Sequence, residues 1–389
     1  MTNPPDIPFL DLRLREDAAA VQEAIARVTA RAWYVLGPEV EAFESEFAAA
    51  SGASFAVGTG SGTDAIALLL RAAGVGANDE VIVPAVTAAY TALAVVNAGA
   101  RPIIVDVDNE TLTMDPAACA AAISSRTRAV VPVHLYGQPA DMPALAAIAS
   151  RNNLAIVEDC CQAHLATCGG TAVGTYGVGG AFSFYPTKNL GALGDGGAAV
   201  TNDPAVAERV KRLRNGGQAG RYMHVEPGVN SRLDELQAAV LRARLPWLRD
   251  WTRRRRALAA LYRQLLPSAI KPITERDPGH VYHLFPVRAS ARQALQAAMT
   301  AAGVETLIHY PVPLNEQTAF AAYPAQPCPV AARASRELLS LPLHPGLAEA
   351  DIERVATAAG HANSRLARQP VRRSPGGGGS FSEGGDVVA

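Results

Sequence analysis

The chain has 389 residues, 49% of them apolar and 18% charged, enough to bury a sizeable core and too apolar for global disorder. At one domain per roughly 150 residues it holds two or three compact units. Lys plus Arg number 35 against 36 Asp plus Glu, a net charge of −1, which leaves no basic field for nucleic acid or an anionic membrane surface.

Five cysteines (Cys119, Cys160, Cys161, Cys168 and Cys328) form an odd set without zinc-type spacing, and no secretory signal is read at the start. Reduced thiols in a cytoplasm, and no metal, are expected.

From Glu39 to Thr201 short β-branched runs alternate with alanine-rich helical stretches, the pattern of a mostly parallel sheet in an α/β fold. Strands are predicted at 55–57, 80–83, 102–105, 129–133, 155–158, 181–184 and 198–200, with helices over Gly62–Ala73, Thr87–Ala98 and Asp141–Asn152. The strands are continuously apolar, so both faces of the sheet are covered, and ligands are expected at the carboxyl ends of its strands. Val81 to Ala100 is twenty residues without a charge, but Pro84, Tyr90 and Asn97 fit a buried strand and helix better than a membrane span. A helix is predicted over Trp247–Leu265, mixed segments around Val281–Val287 and Thr306–Tyr310, and a last helix near Ala348–Ala359. Arg253–Arg256 reads as part of a solvated linker helix, because four consecutive residues point all around a helix. The division expected is a large domain over 1–245, a smaller one over 246–364 and a flexible, glycine-rich tail over 365–389.

Three segments carry chemistry. Lys188 lies in a loop after a buried strand and before a glycine-rich run, the position of a functional amine or of a solvated loop lysine. Glu158 and Asp159 end a strand at the ligand-binding edge, where Asp159 serves either as a helix cap or as a buried anion against a cationic ring nitrogen. Gly58 to Asp64 links a strand to a helix, an anion cradle by geometry that matches neither the Walker nor the dinucleotide fingerprint. Together they describe a site for pyridoxal 5′-phosphate (PLP): phosphate at Gly62 and Thr63, ring nitrogen at Asp159, aldehyde at Lys188. Lys188 then carries a proton between substrate carbon and cofactor.

With Leu36-Gly-Pro-Glu39, Ser61-Gly-Thr-Asp-Ala65, His134 to Met142, Glu158-Asp159 with Gln162-Ala-His164, Ser183 to Gly191 and Asn230 to Gln237, the chain resembles the DegT/DnrJ/StrS sugar aminotransferases from Phe9 to about residue 360. These belong to the aspartate-aminotransferase-like, fold-type I PLP enzymes. The resemblance implies a mostly parallel seven-stranded sheet between helices in the large domain, and a smaller C-terminal α+β domain. It implies that Lys188 forms the Schiff base, Asp159 pairs with the pyridine nitrogen and Gln162 lies near O3′. Gly62, Thr63 and Ser183 hold the phosphate, and Asn230 reaches the phosphate of the neighbouring subunit, in a homodimer with shared sites.

L-Glutamate as donor and a nucleotide-linked keto sugar as acceptor are likewise implied. Arg214 to Glu235, Tyr282–Phe285 and Thr306–Pro311 look like the subgroup acting at C3 of dTDP-3-keto-6-deoxyhexoses, with a C4-specific or aminocyclitol aminotransferase as the alternative. Tyr185, Arg221, Tyr222, His224, Arg232, His309 and Tyr310 are the candidate substrate contacts. For His309 and Tyr310 plain packing beneath Pro311 and Pro313 is the competing reading, and for Arg232 a salt bridge at the start of a helix expected over Arg232–Arg242. His164 reads as a structural or ring-neighbouring histidine. The chain departs from the family pattern at Ala88, where an aromatic residue usually stacks on the pyridine ring, and at Cys160, Cys161 and Leu165. A PLP-binding regulator is the rival of another class, without a helix-turn-helix or basic region to support it. A PLP sugar dehydratase is disfavoured by Lys188.

Overall fold

The computed structural model describes residues 5–367, with side chains over 5–361. Seven strands form the central sheet: β1 (Phe55–Thr59), β2 (Glu80–Pro84), β3 (Arg101–Val105), β4 (Thr127–Val130), β5 (Ala155–Asp159), β6 (Gly179–Ser183) and β7 (Gly197–Thr201). Their spatial order is β1-β7-β6-β5-β4-β2-β3, and every neighbouring pair is parallel except the two made by β7. All seven predicted strands are present. The apolar stretch after Glu80 is β2 followed by the helix Ala89–Asn97, and no described helix is long and apolar enough to cross a membrane.

Helices cover both faces. The helix Gly62–Ala72 is buried along Ala65 to Leu70 and lies on β6 and β7; Ser61 caps it by accepting from Asp64 N–H at 3.1 Å. Another cap comes from far along the chain. Glu235, fully buried in the helix Glu235–Arg244, accepts from the N–H groups of Gly37 (3.0 Å), Glu39 (3.0 Å) and Val40 (2.8 Å) and so closes the start of the helix Pro38–Ala50.

A second core is built on the strands Lys271–Pro272, Phe285–Arg288 and Leu338–Leu341, covered by the helices Leu248–Leu265, Arg292–Ala301 and Glu349–Ala367. Ile7 is part of it: its N–H donates to Gly303 O and its carbonyl accepts from Glu305 N–H, both at 3.0 Å.

Three expectations need correction. The helix expected to open at Arg232 begins at Glu235, with Asp234 as N-cap; Leu233 is fully buried and Ser231 is bonded to the turn after β1, which keeps 230–234 extended. The arginine run is not simply solvated, for Arg255 is buried and its Nη1 donates to the carbonyls of Tyr282 (3.3 Å), His283 (3.3 Å) and Leu343 (2.6 Å). Finally, the last helix extends to Ala367, because residues 361–367 contain neither Pro nor Gly; it takes in the start of the tail, whose remainder lies outside the described residues.

Candidate active site

β5 ends in two carboxylates, and the pleat sends them to opposite faces. Glu158 is fully buried and accepts from Gly174 N–H (2.8 Å), Tyr176 N–H (2.8 Å) and His134 Nε2 (3.0 Å). His134 Nδ1 accepts from Ala140 N–H at 3.1 Å, so its proton sits on Nε2. With Cys160 this trio has the proximity of a metal-ligand set. Glu158 is already saturated by protein donors, however, and acts as a strut behind the sheet.

Asp159 lies on the other face, 5% exposed. Its Oδ2 accepts from Thr91 Oγ1 at 2.7 Å and its Oδ1 from Cys161 N–H at 3.1 Å. Thr91 Oγ1 is in turn 2.9 Å from Thr87 Oγ1. A carboxylate removed from water needs such donors to remain an anion.

Lys188 follows β6 in a tight turn closed by its N–H on Tyr185 O at 2.8 Å. Burial draws its pKa below the usual lysine value of 10.5, against the opposing pull of Cys161 and Asp159, so the amine is closer to its nucleophilic neutral form than a surface lysine. Three imidazoles lie within electrostatic reach of it. Burial first, and the lysine charge second, lower His164 to about 3, His309 to about 4, and His283 well below its usual value. Asn189, next to Lys188, donates from Nδ2 to Val281 O (3.2 Å) and accepts at Oδ1 from His283 Nδ1 (3.1 Å), tying the lysine loop to the C-terminal part of the chain. His164 sits among Phe47, Phe182 and Phe184.

The anion cradle is a close approach. A Cβ on Gly62 would lie 2.6 Å from Cys161 Sγ and 2.9 Å from Ser183 Cβ, so only glycine lets the first turn of the helix Gly62–Ala72 press against β5 and β6. The free N–H groups of that turn are those that bind anions. Ser183 Oγ, beside it, accepts from Tyr185 N–H at 3.3 Å. Ser231 braces the preceding turn, accepting from Gly60 N–H (2.9 Å) and donating to Asp64 Oδ2 (2.8 Å).

Gln162 is held at both ends: its Oε1 accepts from Tyr136 N–H at 2.7 Å and its Nε2 donates to Tyr310 Oη at 3.0 Å. Tyr136 Oη donates to His309 O at 2.5 Å. His309 also stacks on Phe9 and pairs with Ser340 Oγ at 2.9 Å, so packing and pocket lining coincide here.

Lys188, Asp159, Gln162, Ser183, Gly62, His309 and Tyr310 thus converge, with Tyr185 and Thr63 half-buried beside them. Other candidates stand apart within one chain. Arg221, Tyr222 and His224 are on the exposed hairpin Gln218–Gly220/Met223–His224, the Arg221 guanidinium 5.2 Å over the Tyr222 ring. Asn230 is exposed and bridged to Asn215, and Arg232 donates to Asn215 Oδ1 at 3.1 Å rather than forming the helix-start salt bridge. Ala88 is the N-cap of the helix Ala89–Asn97, and Tyr90 is 59% exposed in the single chain.

Thr91, Tyr136 and Asn189 were not singled out from the sequence. Thr91 lies 68 positions from Asp159, and a helical threonine carries no spacing signal for such a contact.

An amine, a buried carboxylate and a helix-terminal anion cradle at the carboxyl edge of a mostly parallel sheet define a group-transfer enzyme of the α/β class. Residues 15–359 match the DegT/DnrJ/EryC1/StrS aminotransferase family, and the chain belongs to that family. It is 48% identical over 361 residues to the dTDP-3-amino-3,4,6-trideoxy-alpha-D-glucose transaminase of Streptomyces venezuelae, covering 91% of this chain and 95% of the relative. It is 50% identical over 352 residues to the erythromycin biosynthesis sensory transduction protein EryC1 of Saccharopolyspora erythraea, covering 88% and 95%. The crystal structure of S. venezuelae DesV in complex with a ketimine intermediate superposes with a TM-score of 0.89 at 46% identity, over 95% of this chain and 100% of that one.

Proposed function

We propose that the chain is a PLP-dependent sugar aminotransferase that moves the amino group of L-glutamate to C3 of a dTDP-linked 3-keto-6-deoxyhexose. The observation that carries this reading is the convergence of Lys188, Asp159 and the Gly62 cradle in a chain 48% identical to a dTDP-3-amino-sugar transaminase. The residues fit PLP: an amine of lowered basicity for its aldehyde, a buried carboxylate for its ring nitrogen, and for its phosphate the first-turn N–H groups of a helix that Gly62 lets pack against Cys161 and Ser183. Bound PLP supplies a carbonyl that takes up the amino group and a ring that accepts the electrons released at the substrate carbon.

Asp159 would hold the proton at the ring nitrogen. Lys188 would hold the aldehyde and would move a proton at the substrate carbon as base and then acid. The N–H groups of Gly62 and Thr63, with Ser183 Oγ, bind phosphate. Gln162, fixed between Tyr136 and Tyr310, is assigned to O3′. Tyr185, His309 and Tyr310 border the sugar.

The enzyme works as a homodimer in this reading. Tyr222, 78% exposed, is uncovered together with its chain neighbours Met223 and Val225, and Trp33 and Tyr34 are exposed as well; exposed apolar surface of this kind suits a protein–protein contact. Across that interface Asn230 meets the partner's phosphate, and Arg221, Tyr222, His224 and Arg232 meet the partner's substrate. Five free cysteines support a cytoplasmic setting.

Incubation with L-glutamate and a panel of dTDP-3-keto and dTDP-4-keto sugars, with products identified by mass spectrometry and NMR, tests the reading. A 3-amino sugar is expected; a 4-amino product overturns the regiochemistry, and no amino sugar from any acceptor overturns the substrate class.

A further inference from the structure

We infer that Thr91, seconded by Thr87, is a positioning residue that satisfies and orients the Asp159 carboxylate and thereby supports the protonation of the cofactor's ring nitrogen. The inference rests on the PLP reading above and adds to it a role for two side chains that touch no reactant.

Thr91, Thr87 and Asp159 are all buried. The Asp159 main chain is fixed on both sides by the neighbouring strand end, its N–H on Pro132 O at 2.8 Å and its carbonyl accepting from His134 N–H at 3.0 Å. Both carboxylate oxygens have a donor: Cys161 N–H on Oδ1 at 3.1 Å and Thr91 Oγ1 on Oδ2 at 2.7 Å. A hydroxyl has one proton, and an ionised carboxylate can only accept. Thr91 therefore spends its proton on Asp159, and the 2.9 Å contact between the two threonines must run from Thr87 to Thr91. The result is a directed chain, Thr87 to Thr91 to Asp159, in which each hydrogen bond polarises the next.

A helical threonine ordinarily turns its hydroxyl back onto a main-chain carbonyl of the preceding turn. Thr91 does not; its oxygen serves two side chains instead. Charge-assisted donation to Oδ2 stabilises the carboxylate and fixes its orientation. A proton shared with the ring of bound PLP would then be held on the ring nitrogen, where the electron sink needs it.

The test uses full-length protein reconstituted with PLP labelled with 15N in its ring, in wild type, Thr91→Val, Thr91→Ser, Thr87→Val and Asp159→Asn, with folding checked by thermal melting. Asp159→Asn should move the ring-nitrogen resonance toward the unprotonated position. Thr91→Val should move it the same way by less, and slow the half-reaction with L-glutamate about ten- to hundredfold while KM changes little. Thr91→Ser should restore both readouts, and Thr87→Val should give a smaller shift of the same sign.

A wild-type resonance and rate in Thr91→Val overturn the inference, as does a Thr91→Ser protein as impaired as Thr91→Val, which would make the residue one of packing. Should Thr91→Val not fold, Thr87→Val decides: an unmoved resonance there refutes the chain. Failure of the underlying reading is a separate result, seen as wild-type protein that takes up no PLP or as Asp159→Asn with an unmoved resonance.

Discussion

Lys188 owes its reactivity to its surroundings, since burial favours the neutral amine more than Cys161 and Asp159 favour the ammonium. A lysine with a lowered pKa is deprotonated at a lower pH, so cofactor-free protein should capture PLP with a rate that rises through a midpoint below 10.5. Absorbance during reconstitution across pH measures this, and a midpoint at or above the ordinary lysine value refutes it. Lys188→Ala should lack both the visible band after dialysis and any borohydride-reducible adduct, and should lose transamination. An adduct that survives in this variant assigns the amine elsewhere. The histidines around Lys188 stay neutral through the same pH range, because burial and the lysine charge both oppose their protonation. They contribute shape and acceptors rather than charge.

Among the elements, the seven strands were legible because doubly covered strands are short continuous apolar runs bounded by turn residues. The reversed direction of β7 was not, since such a run looks the same parallel or antiparallel. The site's core was legible where glycine, lysine and aspartate sit in one local motif each. What escaped was carried by partners distant in sequence: Thr91 on Asp159, Tyr136 on Gln162, Asn189 on His283. The late start of the helix Glu235–Arg244 escaped because Leu233 obeys the core rather than the helical period. Glu235 shows what that start accomplishes. One carboxylate serves three N–H groups at the head of the helix Pro38–Ala50, so Glu235→Ala leaves buried donors unpaired. The expected cost is about 2–4 kcal/mol, read as a lower melting temperature at fixed protein concentration, with Glu235→Gln in between. Unchanged melting in Glu235→Ala would show that water replaces the cap.

For the whole molecule, the exposed hairpin and Asn230 predict sites shared between subunits. In that arrangement a Lys188→Ala subunit still lends its Asn230, whereas an Asn230→Ala subunit damages only its partner's site. Mixing the two inactive parents should restore activity, up to about one working site per heterodimer, measured after subunit exchange has been verified by mass. Heterodimers that form and stay inactive would place Asn230 within its own site. Ile7 carries a different consequence. Held by Gly303 and Glu305, Ile7 has neither its main-chain partners nor its core until the C-terminal part of the chain exists. A ribosome delivers the seven-stranded sheet, with Lys188 and Asp159, long before His309 and Tyr310. Lys188 is therefore made before the side chains of His309 and Tyr310 that border its site, and these come from the same late part of the chain that gives Ile7 its partners.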